Sequence, residues 1–533
     1  MAQPPAADCF EDSERTLAHV LARRLRDRPD QAWIRGDDAV FTYRDADRLA
    51  AELAGGLAAL GVSRGDTVLL MLEDCIEFVA LWCALGRLAA IEVPVNRHYR
   101  GSLLAHVVSD SAASVIVIDA EYLPRLAEVA DACGGLATVV VRGEAETVVG
   151  GLRVVPFARL AAAPVAAAAL QPWDLAAVMY TSGTTGASKG VAVTHGHAFE
   201  YARGVIDMLA MRASDVYYAP LPLFHIAGQW AVVYAAAIAG ATAVLADSFS
   251  PRQFWERARR HGATCAFVLG AMANLLHRQP PLPEDADNPL ERLLMVPLID
   301  EVEEFKRRFR LLVSTTWGGT EMNCPTRSGF DLPDARTCGR LDERRYELRI
   351  VDANDCEVPD GTPGEAVVRP RKPWMVMDGY WRRPDVTVRA WRNLWLHTGD
   401  ILSRDPHGNY YFVDRSKDAI RRRGENISSM EVEREINAHP DVLESAAFPV
   451  AAELGEQEVM AVVVPRPGCR VVPEALTRFL VARMAYFMVP RYLEFADTLP
   501  KTPTGKIQKF ALRERGVTAV TWDRVQAGVT LKR

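Results

Sequence analysis

Residues 180–190 read Tyr-Thr-Ser-Gly-Thr-Thr-Gly-Ala-Ser-Lys-Gly, a run suited to holding phosphate. Its three glycines, Gly183, Gly186 and Gly190, let the backbone come close to a ligand. Five hydroxyls (Thr181, Ser182, Thr184, Thr185, Ser188) and the backbone N–H groups can donate to phosphate oxygens, and Lys189 adds a positive charge. The run is not a P-loop, because Gly190 stands where that motif requires Ser or Thr. Apolar stretches at 175–179 and 191–194 read as strands, so the phosphates would sit in a loop between strands, without a helix N-terminus. By composition alone the same run is equally a flexible polar loop.

Further residues could serve the same chemistry. Glu321, in Trp317-Gly318-Gly319-Thr320-Glu321, is a hard oxygen ligand suited to a magnesium ion. Thr398-Gly399-Asp400 reads by itself as a turn. Lys506, in Pro503-Thr504-Gly505-Lys506, projects from a loop that Pro503 and Gly505 shape; read alone, it and the nearby Lys501 and Lys509 are solvated surface lysines. His225 closes Leu221-Pro222-Leu223-Phe224-His225 and by itself reads as a hydrogen-bonded core residue. His195 and His197 would share one face of a strand, but no third ligand accompanies them, so no zinc site is assigned.

In this order, together with Val93-Pro94-Val95-Asn96 and Asp414-Arg415-Ser416-Lys417-Asp418, these segments resemble the adenylate-forming superfamily across nearly the whole chain. That superfamily contains acyl-CoA synthetases, peptide-synthetase adenylation domains and beetle luciferases. The branch most similar is the crotonobetaine/carnitine-CoA ligase-like one, on Phe254-Trp255, His261-Gly262-Ala263-Thr264, Gly270-Ala271-Met272, Asp287-Asn288-Pro289 and Trp522-Asp523. The resemblance implies ATP, Mg2+ and coenzyme A as cofactors. Thr181, Ser182, Gly183, Thr184, Thr185, Gly186 and Lys189 would hold phosphate, and Thr184 and Glu321 the metal. Trp317, Gly318 and Thr320 would border the adenine, with Trp317 replacing the family's usual tyrosine and still able to stack. The bulky 294–298 segment, Leu-Met-Val-Pro-Leu, departs from the small residues usual beside adenine. Asp400 and Arg415 would hold the ribose, Lys506 would catalyse adenylation, and His225 would stand at the mouth of the acyl pocket. Lys417 would be the hinge of a rotating C-terminal domain. Gly424 would admit pantetheine, and Arg421-Arg422-Arg423 could meet the phosphates of coenzyme A. By motif order, Gln229, Trp230, Met272, Met322 and Asn323 would line the acyl site, which implies a small or medium acid with a polar contact.

These residues need a large scaffold. The chain has 533 residues, enough for several compact units, with 49% hydrophobic and 24% charged residues, as in soluble globular proteins. A net charge of −6 gives no general attraction to nucleic acid. Nine scattered cysteines without a CxxC pair suggest neither a zinc site nor a disulfide framework, which fits a reduced, cytoplasmic setting. The N-terminus lacks a signal-peptide pattern, and the apolar stretch 231–246 is too short and too interrupted to span a membrane. The expected fold is α/β: layered α/β subdomains and a β-rich subdomain (339–368) in a large domain over 1–413, a hinge at 414–417, and a small mobile α+β domain over 418–533. Ser428 and Glu431 form a capping-box pattern for a helix that stops before Pro440. The expected activity is an ATP-dependent carboxylate-CoA ligase that adenylates an organic acid and then forms the thioester. Transfer to a carrier protein or another nucleophile, or an inactive nucleotide-binding homologue, are the alternatives.

Overall fold

The structure is a computed structural model that describes residues 10–37, 39–144, 149–181, 188–246, 248–415, 418, 420–422, 425–451, 457–481, 483–484, 487–501 and 506–531, with backbone alone for 421, 425 and 426. The expected site residues Ser182, Gly183, Thr184, Thr185, Gly186, Lys417 and Gly424 lie outside these.

Two largely parallel sheets form the large domain. One runs in the order Leu312–Ser314, Arg292–Val296, Cys265–Leu269, Val216–Tyr218, Thr242–Val244, Ala32–Arg35, Val40–Thr42, and only its last pair is antiparallel. The other runs Gly379–Tyr380, Lys189–Thr194, Leu175–Thr181, Ile91–Pro94, Thr67–Met71, Val115–Asp119, Thr138–Arg142, Arg153–Pro156. Parallel strands covered on both faces should be apolar on both, and these are. Val68 and Leu70 enter the core between the sheets, while Leu69 and Met71 enter the outer core. Likewise Cys265 and Phe267 face inward, and Ala266 and Val268 face the opposite outer layer. The helices Tyr43–Ala59, Ile76–Leu88 and His195–Leu209 contribute to the central layer between the sheets.

A six-stranded antiparallel sheet follows, Thr326–Arg327, Thr337–Leu341, Asn409–Arg415, Leu396–Arg404, Gly364–Pro370, Tyr346–Val351, and packs Leu348, Ile350, Val368 and Leu402 on the central core. Its strand Asn409–Arg415 runs two residues past the expected limit at 413. The C-terminal unit is a four-stranded sheet, Val442–Ala451, Gln457–Pro465, Tyr492–Phe495, Trp522–Asp523. Helices Ser429–Asn437 and Pro473–Val481 cover one face and Lys509–Arg515 the other. The Ser428 hydroxyl caps the first of these by accepting the Glu431 N–H at 3.3 Å. The layered α/β class with a separate α+β C-terminal domain therefore matches the expectation. Among the described residues no helix is long and apolar enough to cross a membrane.

Two local readings change. Residues 195 and 197 do not lie on a strand: the Thr194 hydroxyl accepts the His197 N–H at 3.2 Å and starts the helix His195–Leu209. Both imidazoles are buried, and that burial pushes them down to about 4 and about 3. Thr398-Gly399-Asp400 is not a turn but lies inside the strand Leu396–Arg404, where Glu365 faces Ile401 and Val367 faces His397. The extra residues form a bulge, with Gly399 at φ 70°, that redirects Asp400.

Candidate active site

A cleft of about 1170 Å³ opens between the large domain and the C-terminal unit, larger than a drug-sized pocket and roomy enough for a nucleotide beside an acid. The hairpin Leu175–Thr181 and Lys189–Thr194 brings Thr181, Ser188 and Lys189 to its wall. The Ser188 hydroxyl is buried without a hydrogen-bond partner among the described residues, and the Lys189 ammonium stands 5.2 Å from the Tyr380 ring centroid. A hydroxyl and an ammonium at the ends of this hairpin suit phosphate oxygens.

A tight turn carries the next group. Gly319 N–H donates to Asn323 O, and Asn323 N–H to Gly319 O, both at 2.9 Å. Asn323 closes the turn at φ 65°, a conformation Asn tolerates. Between them Thr320 and Glu321 face the cleft. Glu321 Oε1 accepts from the Tyr380 hydroxyl at 3.2 Å.

Opposite lies the bulge with Asp400. Its carboxylate is 3% exposed. Oδ2 accepts the Trp317 indole N–H at 2.9 Å, and Oδ1 lies 2.8 Å from Arg415 Nε. Burial raises the Asp400 acid, and Arg415 and then the Trp317 hydrogen bond pull it back. Thr316 and Gly318 line the cleft, and the Trp317 indole between them is buried and donates to Asp400.

The C-terminal unit supplies Lys501, Lys506, Gln508 and Phe510 to the cleft wall. Lys501 pairs with Glu444 at 2.6 Å and Lys509 with Glu433 at 2.8 Å. Lys506 lines the cleft within the fields of Arg415, Asp400 and Glu321. It remains solvent-accessible because the cleft is open, yet protein surrounds it; that desolvation and then Arg415 lower its ammonium, while Asp400 and Glu321 raise it.

His225 begins the short helix Ile226–Gly228, its Nδ1 accepting the Ala227 N–H at 3.1 Å. Burial, followed by the charge of Lys506, pushes the imidazole down to about 4. The ring is neutral near pH 7, with Nε2 as the protonated donor. The cleft is also lined by Tyr201, Val205, Ala227, Phe267, Leu269 and Cys324.

The residues expected to line this end do not. Gln229 and Asn323 are buried away from the cleft. Gln229 Nε2 donates to Glu92 at 2.7 Å and Asn323 Nδ2 to Met375 O at 2.6 Å. Trp230 and Met322 are buried too, and Met272 is half-buried and packs against the hydrophobic core. Arg422 is also not available to a ligand: it is buried, 2.8 Å from Glu458, and donates to Phe487 O at 2.7 Å. Tyr201 and Val205 could have been found from the i, i+4 spacing on the helix Thr194 starts, had that helix been recognised. Phe267 and Leu269 come from an inner strand end that carries no motif.

The AMP-binding enzyme family profile matches residues 21–381, and its C-terminal domain profile matches 431–506. The chain belongs to the AMP-binding enzyme family. A relative in Salmonella enteritidis PT4, crotonobetaine/carnitine–CoA ligase, is 31% identical over 487 residues, 89% of this chain and 93% of that one. ATP-bound MatB from Rhodopseudomonas palustris superimposes with a TM-score of 0.82 at 25% identity, covering 93% of this chain and 98% of MatB. O-succinylbenzoate coenzyme A synthetase from Bacillus subtilis, in complex with AMP, does so with a TM-score of 0.81 at 25% identity, covering 94% and 98%. Membership in this family accounts for a cleft that brings Lys189, Glu321 and Lys506 together in one place.

Proposed function

We propose that the chain is an AMP-forming carboxylate–CoA ligase for a small or medium organic acid with a compact apolar body. The supporting observation is that Lys189, Glu321, Arg415, Lys506 and His225, from widely separated segments, converge on one cleft. A carboxylate oxygen attacks the α-phosphorus of ATP and pyrophosphate leaves. The thiol of coenzyme A then attacks the acyl carbonyl, and AMP leaves with the former carboxylate oxygen.

In this reading Lys506 bridges the carboxylate and the α-phosphate, offsetting the repulsion between two anions. Lys189, Thr181, Ser188 and the loop residues Ser182, Gly183, Thr184, Thr185 and Gly186 hold the phosphates. Gly318 and Thr320 border the base. Arg415 and Asp400 hold the ribose; each Asp400 oxygen keeps a second lone pair for a hydroxyl. His225 donates Nε2–H toward the acyl group. Glu321 suits Mg2+, which takes one or two carboxylates and completes its shell with phosphate oxygens and water; Thr184 would join it. The ion would supply charge stabilisation at the transferring phosphoryl group. Lys417 acts as the hinge that lets the C-terminal unit, spanning about 418–533, turn after adenylation, and Gly424 borders the pantetheine path. A cytoplasmic setting, where ATP and coenzyme A are at hand, belongs to the same reading.

The acyl end offers aromatic and aliphatic walls. This favours aryl or short branched acids over long alkyl chains. The test is a panel of carboxylic acids with ATP, Mg2+ and coenzyme A, followed by pyrophosphate release and thiol consumption. Pyrophosphate release without thiol consumption would redirect the reading to another acceptor. A preference for long-chain fatty acids would refute the substrate class.

A further inference from the structure

The strand Ile91–Pro94 lies inside the eight-stranded sheet. Ile91 and Val93 enter the outer core, so Glu92 and Pro94 share the opposite face. Pro94 lines the cleft and Glu92, one step below, is wholly buried. Its partner is Gln229, 1% exposed, the first residue of the π-helix Gln229–Tyr234. Gln229 Nε2 donates to Glu92 Oε2 at 2.7 Å, while Glu92 Oε1 and Gln229 Oε1 have no hydrogen-bond partner among the described residues.

Two orphaned acceptors on one pair of side chains mark a missing proton. An ionised carboxylate has only acceptors, so Gln229 Oε1 could find no donor there. A proton on Glu92 Oε1 makes that atom a donor to Gln229 Oε1, and the pair closes into a ring of two hydrogen bonds. The surroundings agree. Cys83, on the helix Ile76–Leu88, is a titratable neighbour that responds to Glu92, and its thiol is itself pushed up by burial. His197, on the helix His195–Leu209, is held neutral by burial, and the Tyr234 phenol is pushed up by the same cause. On the flanking strands, Thr67–Met71 carries no titratable group, and Tyr180 turns to Asp110 at 2.7 Å. Burial pushes the Glu92 acid up to about 8, and the Gln229 hydrogen bond only partly offsets this.

We propose that Glu92 is a positioning residue working as a neutral acid: its carboxyl closes a two-bond ring with the Gln229 amide and thereby fixes the backbone that presents His225 and Ala227 to the acyl end of the cleft. The link is short. Gln229 N–H and Gly228 N–H both donate to His225 O, at 3.1 and 3.0 Å. Gly228 leaves no slack, since a Cβ there would stand 2.2 Å from Pro222 O. A shift of Gln229 therefore reaches His225. The catalytic part of this inference rests on the proposed function; the protonation part does not.

Glu92→Gln separates the possibilities, because two amides can form the same ring without a titrating proton. Activity and Tm are followed together from about pH 5 to 9.5 for the wild type, Glu92→Gln and Glu92→Ala. The wild type should show KM for the acid rising severalfold above about pH 8 with kcat less affected, and Glu92→Gln should keep wild-type KM at neutral pH and lose that rise. Glu92→Ala should raise KM about tenfold at neutral pH, since both ring bonds are gone. Folded Glu92 keeps a proton that an unfolded chain has released above about pH 4.3, so wild-type Tm should fall between about pH 5 and 8 relative to Glu92→Gln. A tenfold loss of activity in Glu92→Gln at neutral pH would show that the anion is needed and overturn the proposal. Parallel Tm curves for the wild type and Glu92→Gln would overturn it equally. If the wild type activates no acid while the Tm curves diverge, the proposed function fails and the protonated pair is supported.

Discussion

Gly318→Ala tests whether the turn that carries Glu321 is set by backbone contact. A Cβ at Gly318 would lie 1.9 Å from Asn323 O, 2.9 Å from Asn323 C and 3.1 Å from Cys324 Cα. All three are backbone atoms, so no rotamer change relieves the contact. The opposing strand of the turn would have to retreat on the order of 1 Å, at about 1–3 kcal/mol of stability, as overpacked sites do. That retreat pulls on the two 2.9 Å hydrogen bonds between Gly319 and Asn323 that frame Thr320 and Glu321. A displacement of about 1 Å in a positioned group costs on the order of 100-fold in rate. The neighbouring glycine is the control. At Gly319 a Cβ would meet only Met322 Cε at 3.5 Å and Glu321 Oε2 at 3.6 Å, which is ordinary contact. Acid-dependent ATP–pyrophosphate exchange and thermal melting read both variants. Gly318→Ala should lose about 100-fold in exchange and several degrees in Tm, and Gly319→Ala should keep its Tm. Exchange in Gly318→Ala within about threefold of wild type, or an equal Tm loss in both variants, would refute the argument.

Three further outcomes are expected. Lys506→Ala should abolish acyl-adenylate formation and spare thioester formation from supplied acyl-adenylate; loss of both half-reactions in a folded variant would count against its role. Asp400→Asn keeps an acceptor for the Trp317 indole but turns an amide toward Arg415, and should raise KM for ATP about tenfold or more, the worth of a hydrogen bond to a charged group; an unchanged KM would remove Asp400 from nucleotide binding. His197 is depressed from the ordinary 6.5 to about 3. Its stabilising contribution is therefore present above about pH 6.5 and lost as pH falls, by up to about 1.4 kcal/mol per pH unit. His197→Leu should flatten the fall of Tm between about pH 6.5 and 5, and an unchanged slope would contradict this.

The layers, the two strands on either side of residues 182–187 and the C-terminal unit follow from patterns short enough to see along the chain. Short continuous apolar runs give the strands, and Thr194 or Ser428 gives a helix start to a reader who looks for caps. The side chains that bridge distant segments do not show this way. Trp317 finds Asp400 across 83 residues and Gln229 finds Glu92 across 137. In both cases motif order points to the cleft, and a buried partner elsewhere in the sequence turns the side chain inward. The bulge at Thr398–Asp400 escapes for a related reason. A Thr-Gly-Asp run looks like a turn until the opposing strand at Glu365–Val367 shows that the chain stays in the sheet.

The central claim is the attack of a carboxylate oxygen on the α-phosphorus of ATP. An acid accepted by the enzyme, labelled with 18O in its carboxyl group, tests it directly with ATP, Mg2+ and coenzyme A by mass spectrometry of the products. The account predicts one labelled oxygen in AMP, unlabelled pyrophosphate, and acyl-CoA equal in amount to AMP. Label in inorganic phosphate together with ADP, or AMP without label, would contradict it.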